Sequence, residues 1–260
     1  MPDLAMDRYR APALDKGLDI LELLASVDGG LSQAEIAKRL GKSHNELYRM
    51  LNTLVRRGYV ARDEGDRFSL TLKLFGLAHL HAPVRRMVSY ATPMMRDLAQ
   101  VTQQANQLVV FDRGSVVLIA QQEAPNYWGI SIRMGSHVSL FDTGSGQVLL
   151  AFRPPEERLM MIAEHLNTGE EPSITPEFAA RLDEIKARGY AIMPSIQIAA
   201  VMNLSAPVLR PDGRALAALT VPYVDLANVP DAPDMNETLD LIRATAARLS
   251  RLAGFDVAGQ

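Results

Sequence analysis

The sequence predicts an α+β fold: a winged helix-turn-helix over residues 1–72, a linker helix over 73–87 and an α/β domain over 88–260. Three observations carry this. Two Ser-x-x-Glu capping boxes follow one another across Gly41, so two short helices meet at a tight turn. Alternating segments on either side of Asp63-Glu64-Gly65-Asp66 then read as a hairpin. Beyond residue 100, strand-like runs joined by Arg113-Gly114 and by Arg210-Pro211-Asp212-Gly213 alternate with amphipathic stretches, the pattern of an antiparallel sheet with helices outside it.

Leu14, Leu18, Leu21 and Leu24 recur at helical spacing, and Gly29-Gly30 ends that helix. Ser32 and Glu35 form the first capping box, each side chain meeting a backbone N–H left free at the helix start. Ile36, Ala37 and Leu40 give the apolar face, and Gly41 suits the left-handed conformation at a helix end. Ser43 and Glu46 form the second box. Leu47, Met50, Leu51 and Leu54 mark the buried face of its helix, and His44, Asn45, Tyr48, Arg49, Asn52 and Arg56 the outer face. Gly58 ends it, and residues 59–62 and 67–70 alternate like strands.

The chain has 27 basic and 30 acidic residues among 260, a formal net charge of -3, and no cysteine. The absence of cysteine excludes disulfide frameworks, Cys-ligated zinc, iron–sulfur clusters and thiol nucleophiles. No apolar run reaches spanning length and the first residues lack a signal-peptide core, so a cytoplasmic protein without a membrane partner is expected. The total charge argues weakly against nucleic acid, but it is uneven. Between Lys38 and Arg62, seven basic residues stand against a single acidic one, Glu46. A small helical interaction domain with a solvated face would show the same clustering. The serial capping boxes, the glycine turn and the basic outer face with its hairpin together favour a helix that enters the major groove. The expected base or phosphate contacts are Lys42, Ser43, His44, Asn45, Tyr48 and Arg49, with Arg62 and Arg67 on phosphates.

In the larger domain, residues 71–81 are expected to form a connecting helix and 87–102 a second helix interrupted early at Pro93. Strands are expected at 107–112, 115–122, 129–133, 190–193, 202–209 and 215–223, and helices at 143–152, 155–166 and 176–188. Met235, Leu239, Ile242, Ala246 and Leu249 mark a long final helix. Asp142-Thr143-Gly144-Ser145-Gly146 opens an apolar helix, where free N–H groups and the helix dipole suit an anion such as a carboxylate. Small residues for close packing explain the same run. It is not a dinucleotide fingerprint, because Leu149 stands where the third glycine belongs.

Six segments, ALDKGLDILELLA, LSQAEIAKRLGKSHNELYRMLNTLVRRGYVARD, RFSLTLKLFGLA, RMGSHVSLFDTGSGQVLLAF, LDEIKARGYAI and NLSAPVLRPDGRALAALTV, resemble in content and order the IclR-type transcriptional regulators. The resemblance runs from about Ala13 to about Leu252. It implies a GAF-like α/β effector-binding domain behind the winged helix, a dimer or tetramer, a double-stranded (pseudo)palindromic DNA operator and a small organic acid effector, aromatic ones included. It also implies a pocket lined by Asp142, Thr143, Gly144, Ser145, Asn203, Ser205, Thr220 and Pro222. Asn203 stands where many members have Cys, Pro222 where a small polar residue is usual, and residues 196–200 replace an acidic-then-Gly entry. Asn203 still offers hydrogen bonds, whereas Pro222 removes a donor. Tyr127, Trp128 and Phe141 are candidate aromatic walls, with plain core packing as the alternative for Trp128.

No catalytic, metal or cofactor constellation is read. His79 and His81 are two apart and do not share a helix face; His44, His137 and His165 are scattered. Glu156-Glu157 and Glu170-Glu171 fall in solvated segments. The expectation is a ligand-responsive regulator; an enzyme or sensor module with an accessory helix-turn-helix would need a polar cluster that the sequence does not show.

Overall fold

The computed structural model describes residues 11–80, 82–126, 129–166, 175–227, 229 and 231–255. Tyr127, Trp128, His81 and Glu170-Glu171 lie outside them. The chain divides into two compact units, Met1–Ala82 and Pro83–Gln260.

The first unit holds α1 (Pro12–Ala25), β1 (Leu31–Ser32), α2 (Gln33–Leu40), α3 (His44–Arg56), β2 (Val60–Arg62), β3 (Arg67–Leu70) and α4 (Lys73–Leu80). Both capping boxes are formed, and Gly41 takes φ 62 at the end of α2. Ile20, Leu24, Ile36, Leu47, Leu51, Val60 and Phe68 meet in one core; α2 and α3 bury the stripes their spacing marks, whereas α1 buries Ile20 and Leu24 and leaves Leu14 and Leu18 of its marked stripe exposed. The two-residue β1 has no readable period; it is defined by its partner, with Leu31 opposite Phe68 in the sheet β1-β3-β2.

The second unit holds α5 (Ala82–Thr102), β4 (Asn106–Asp112), β5 (Ser115–Gln122), β6 (His137–Val138), α6 (Gly144–Ala151), α7 (Pro155–Leu166), α8 (Pro176–Arg188), β7 (Ala191–Pro194), β8 (Met202–Leu209), β9 (Ala215–Tyr223) and α9 (Met235–Phe255). Its strands pair antiparallel in the order β6-β5-β4-β9-β8-β7. Arg113 and Gly114 both take positive φ, as a tight two-residue hairpin requires. Alternation divides the sheet. Leu108, Leu204, Leu219 and Val221 pack on α5 and α9, while Val109, Leu118 and Ala218 pack on α6, α7 and α8. The result is a three-layer α/β/α unit.

Two expectations are corrected. Residues 129–133 form no strand. The side chain of Gln121 replaces the ladder there, accepting from Ile132 N at 2.9 Å and donating to Ser131 Oγ at 2.6 Å. The helix expected from residue 87 starts at Ala82 and runs through Pro93 without interruption. Proline removes one hydrogen bond, but Ala91, Met94, Met95 and Leu98 hold the flanking turns against the sheet.

Candidate nucleic-acid interface and ligand cavity

The outer face of α3 is fixed at its N-terminal end. Ser43 caps the helix by accepting from Glu46 N, and Gln33 on α2 donates to His44 O at 2.9 Å. Leu47 and Leu51 are buried beneath, which turns Lys42, Ser43, His44, Asn45, Tyr48, Arg49, Asn52 and Arg56 outward, all exposed. Tyr48 keeps 56% of its surface exposed, an unusual position for an aromatic ring with no partner element above it. The one acidic residue of the basic stretch, Glu46, is exposed but paired. Lys16 on α1 reaches it at 2.8 Å, and that hydrogen bond, with those from the Ser43 backbone and hydroxyl, holds its carboxyl at about 2. That carboxylate is thus matched by Lys16, and the other charges of the face, on Lys42, Arg49 and Arg56, are positive.

The wing arginines are more committed than the sequence suggests. Arg62 meets Asp66 at 2.7 Å and lies over the Phe68 ring. Arg67 donates through Nε to Gly30 O at 3.0 Å and stands 3.5 Å from Glu35. Arg67 is thus a tie between the wing and the start of α2. Its partner lies 37 residues away in the chain, so no local pattern announces it.

In the second unit, a cavity of about 450 Å³ opens on the α6 side of the sheet. Its floor follows strand parity: Gln107 stands opposite Thr220, and Asn203 opposite Pro222. Its rim is the start of α6, with Asp142, Thr143, Gly144 and Ser145. The loop is stitched in place. Thr143 Oγ1 donates to Ser139 O and accepts from Gly146 N, while Gln147 Nε2 donates to Phe141 O. Both glycines have packing reasons. A Cβ on Gly146 would collide with the Leu140 carbonyl, and one on Gly144 would lie 3.0 Å from Ser205 Oγ.

Of the expected pocket residues, Asp142, Thr143, Gly144, Ser145, Asn203, Thr220 and Pro222 come together on this cavity. Two do not. Ser205 is 0% exposed beneath Gly144, its hydroxyl paired with Thr220 at 2.8 Å. Phe141 points into the core, against His165 and Phe178. The sequence reading missed Gln107 and Val109 of β4, residues 130–132, and the loop at 195–198, where Ile196 and Ile198 are exposed at the opening. A polar Gln107 at the head of the apolar run 108–111 was the available signal. The described lining contains no lysine or arginine. Among the described residues no cluster of three or more metal-ligating side chains occurs, and no described helix is long and apolar enough to cross a membrane.

A winged helix presenting a basic recognition face, followed by an α/β unit with a ligand-sized cavity, defines a DNA-binding regulator with an effector domain. The models of the IclR helix-turn-helix domain and of the bacterial transcriptional regulator IclR C-terminal domain match residues 13–64 and 81–251. The chain is 31% identical to the HTH-type transcriptional regulator BhcR of Paracoccus denitrificans, covering 80% of this chain and 76% of the relative. It is 27% identical to KdgR of Escherichia coli, covering 85% of each. Among solved structures it is similar to the Thermotoga maritima IclR, with TM-score 0.71 and 25% identity over 93% of this chain and 98% of that one. It is similar in fold to an IclR homolog from Microbacterium hydrocarbonoxydans complexed with 4-hydroxybenzoate, with TM-score 0.75 and 20% identity over the same shares. The chain belongs to the IclR family of transcriptional regulators, which are DNA-binding proteins and not enzymes.

Proposed function

We propose that this regulator reads a (pseudo)palindromic operator as a dimer or tetramer, one α3 per half-site, and answers to a small organic acid held in the cavity. The observation that carries the DNA reading is the outward face of α3, where Lys42, His44, Asn45, Tyr48 and Arg49 are exposed on a helix capped and braced from behind. Arg62 supplies a phosphate contact from the wing after exchanging Asp66, while Arg67 acts by holding the wing in place. Exposed Leu14, Leu18, Leu72, Leu77 and Leu80 support self-association, since so much apolar surface on one small unit marks a contact area. Binding takes place in the cytoplasm, where operator DNA is found.

For the effector, the start of α6 offers N–H groups and a favourable dipole end to a carboxylate. Ile130, Ile132, Val138, Ile196 and Ile198 offer an apolar surround to the rest of the molecule. The 4-hydroxybenzoate of the Microbacterium relative supports an aromatic acid. The effector acts by binding one conformation of the dimer better than another, which biases the placement of its DNA heads.

Fluorescence anisotropy with the DNA upstream of the protein's own gene tests the DNA reading. Arg49→Ala is expected to weaken binding by about 1–3 kcal/mol with an unchanged circular dichroism spectrum, and wild-type affinity is expected to fall steeply with salt. Undiminished affinity in the variant would reassign the reading face. A thermal-shift screen of organic acids tests the effector, because a ligand of the folded state raises the melting point.

A further inference from the structure

The cavity contains a polar group that its own walls leave unmet. Gln107 is 6% exposed, and its Nε2 has no hydrogen-bond partner among the described residues. Native structures leave few buried donors in this condition, because the lost hydration is not returned. Thr220, directly opposite on β9, does not serve it, since the Thr220 hydroxyl pairs with Ser205.

Gln107, Thr220 and Ser205 stand in a row across β4, β9 and β8, so they share one face of the sheet. The start of α6 lies over Ser205, where a Cβ on Gly144 would come within 3.0 Å of Oγ. Gln107 stands two strands away, roughly 10 Å at ordinary strand spacing. The cavity thus has two polar ends with apolar walls between them. The α6 end favours negative charge. The Gln107 end is a neutral amide donor: the described lining contains no lysine or arginine, and its histidine, His137, stands opposite Val117 of β5, in register with Val110 and three residues along β4 from Gln107.

We infer that Gln107 is a specificity-determining residue: it selects effectors that carry a neutral hydroxyl or carbonyl oxygen at the end opposite the carboxylate. Monoanionic hydroxy or oxo acids fit, and dicarboxylates do not, because their second carboxylate would lose its hydration beside a neutral amide, with no lysine or arginine in return. This inference rests on the reading of the cavity as an organic-acid site.

Isothermal titration of the full chain with benzoate, 4-hydroxybenzoate and benzene-1,4-dicarboxylate tests it. The wild type is expected to bind 4-hydroxybenzoate roughly three- to tenfold more tightly than benzoate, the return of one hydrogen bond, and the dicarboxylate most weakly. Gln107→Leu, similar in size, should abolish the preference for 4-hydroxybenzoate over benzoate; Gln107→Met serves should the leucine variant fail to fold. An equal preference in wild type and variant overturns the role of Gln107 while leaving the organic-acid reading in place. Dicarboxylate binding as tight as that of the hydroxy acid overturns the selection for a neutral group. Failure of all three probes to bind the wild type overturns the aromatic-acid reading itself, and the inference with it.

Discussion

Glu46 serves two elements at once. It completes the capping box of α3 through Ser43 and ties that helix to α1 through Lys16. These partners hold its carboxyl at about 2, below the ordinary 4.5. A depressed carboxylate contributes stability that is present above its unfolded value and lost as the pH falls through the folded one. The stability lost in Glu46→Gln is therefore expected to be full above pH 5 and to shrink between about 4.5 and 2, read as the difference in urea midpoint between the two proteins. A constant difference over that range would mean that the charge on Glu46 contributes nothing. The capping role was legible in the sequence because Ser43 and Glu46 are three residues apart. Lys16 was not, because its position over α3 depends on how α1 packs. The same holds for Gln107, Ser205 and Phe141. Their residue types were plain, but depth within the unit decides which of them lines the cavity.

At the scale of the element, α6 shows how much a short helix can depend on missing side chains. All eight of its residues are buried, and Gly146 lies against the backbone of Leu140. Gly146→Ala is expected to destabilise the second unit by about 1–3 kcal/mol, measured by urea denaturation followed by far-UV circular dichroism, and to weaken acid binding at the rim. Gly76→Ala in α4, with nothing within 4 Å of the added Cβ, is the control, expected to be neutral or stabilising. Long elements were legible: α3 and α8 bury the residues their period marks, and β8 and β9 are apolar runs buried almost throughout. The failures have a common cause. The segment at 129–133 carries strand-like residues but meets the side chain of Gln121 in place of a neighbouring strand, and β1 exists only because β3 pairs with it.

At the scale of the whole molecule, each unit closes a core of its own, and the first leaves large apolar side chains exposed. If these form the dimer contact, Leu77→Glu with Leu80→Glu should weaken self-association by at least about tenfold in analytical ultracentrifugation, since charged side chains would have to be buried unpaired. Operator affinity should fall in parallel, because a single head reads a single half-site. An unchanged mass at micromolar concentration would place the interface elsewhere.

The sequence by itself determined the types of the long elements, the capped recognition helix, the basic stretch hidden within a net charge of -3, and the family. These are local or additive properties, written in spacing and composition. Only the tertiary structure decided that Arg67 braces the wing, that Glu46 pairs with Lys16, and that Gln107 and not Ser205 or Phe141 faces the cavity. Each of these depends on residues far apart in the chain meeting across helices or strands, where packing and register set the distances.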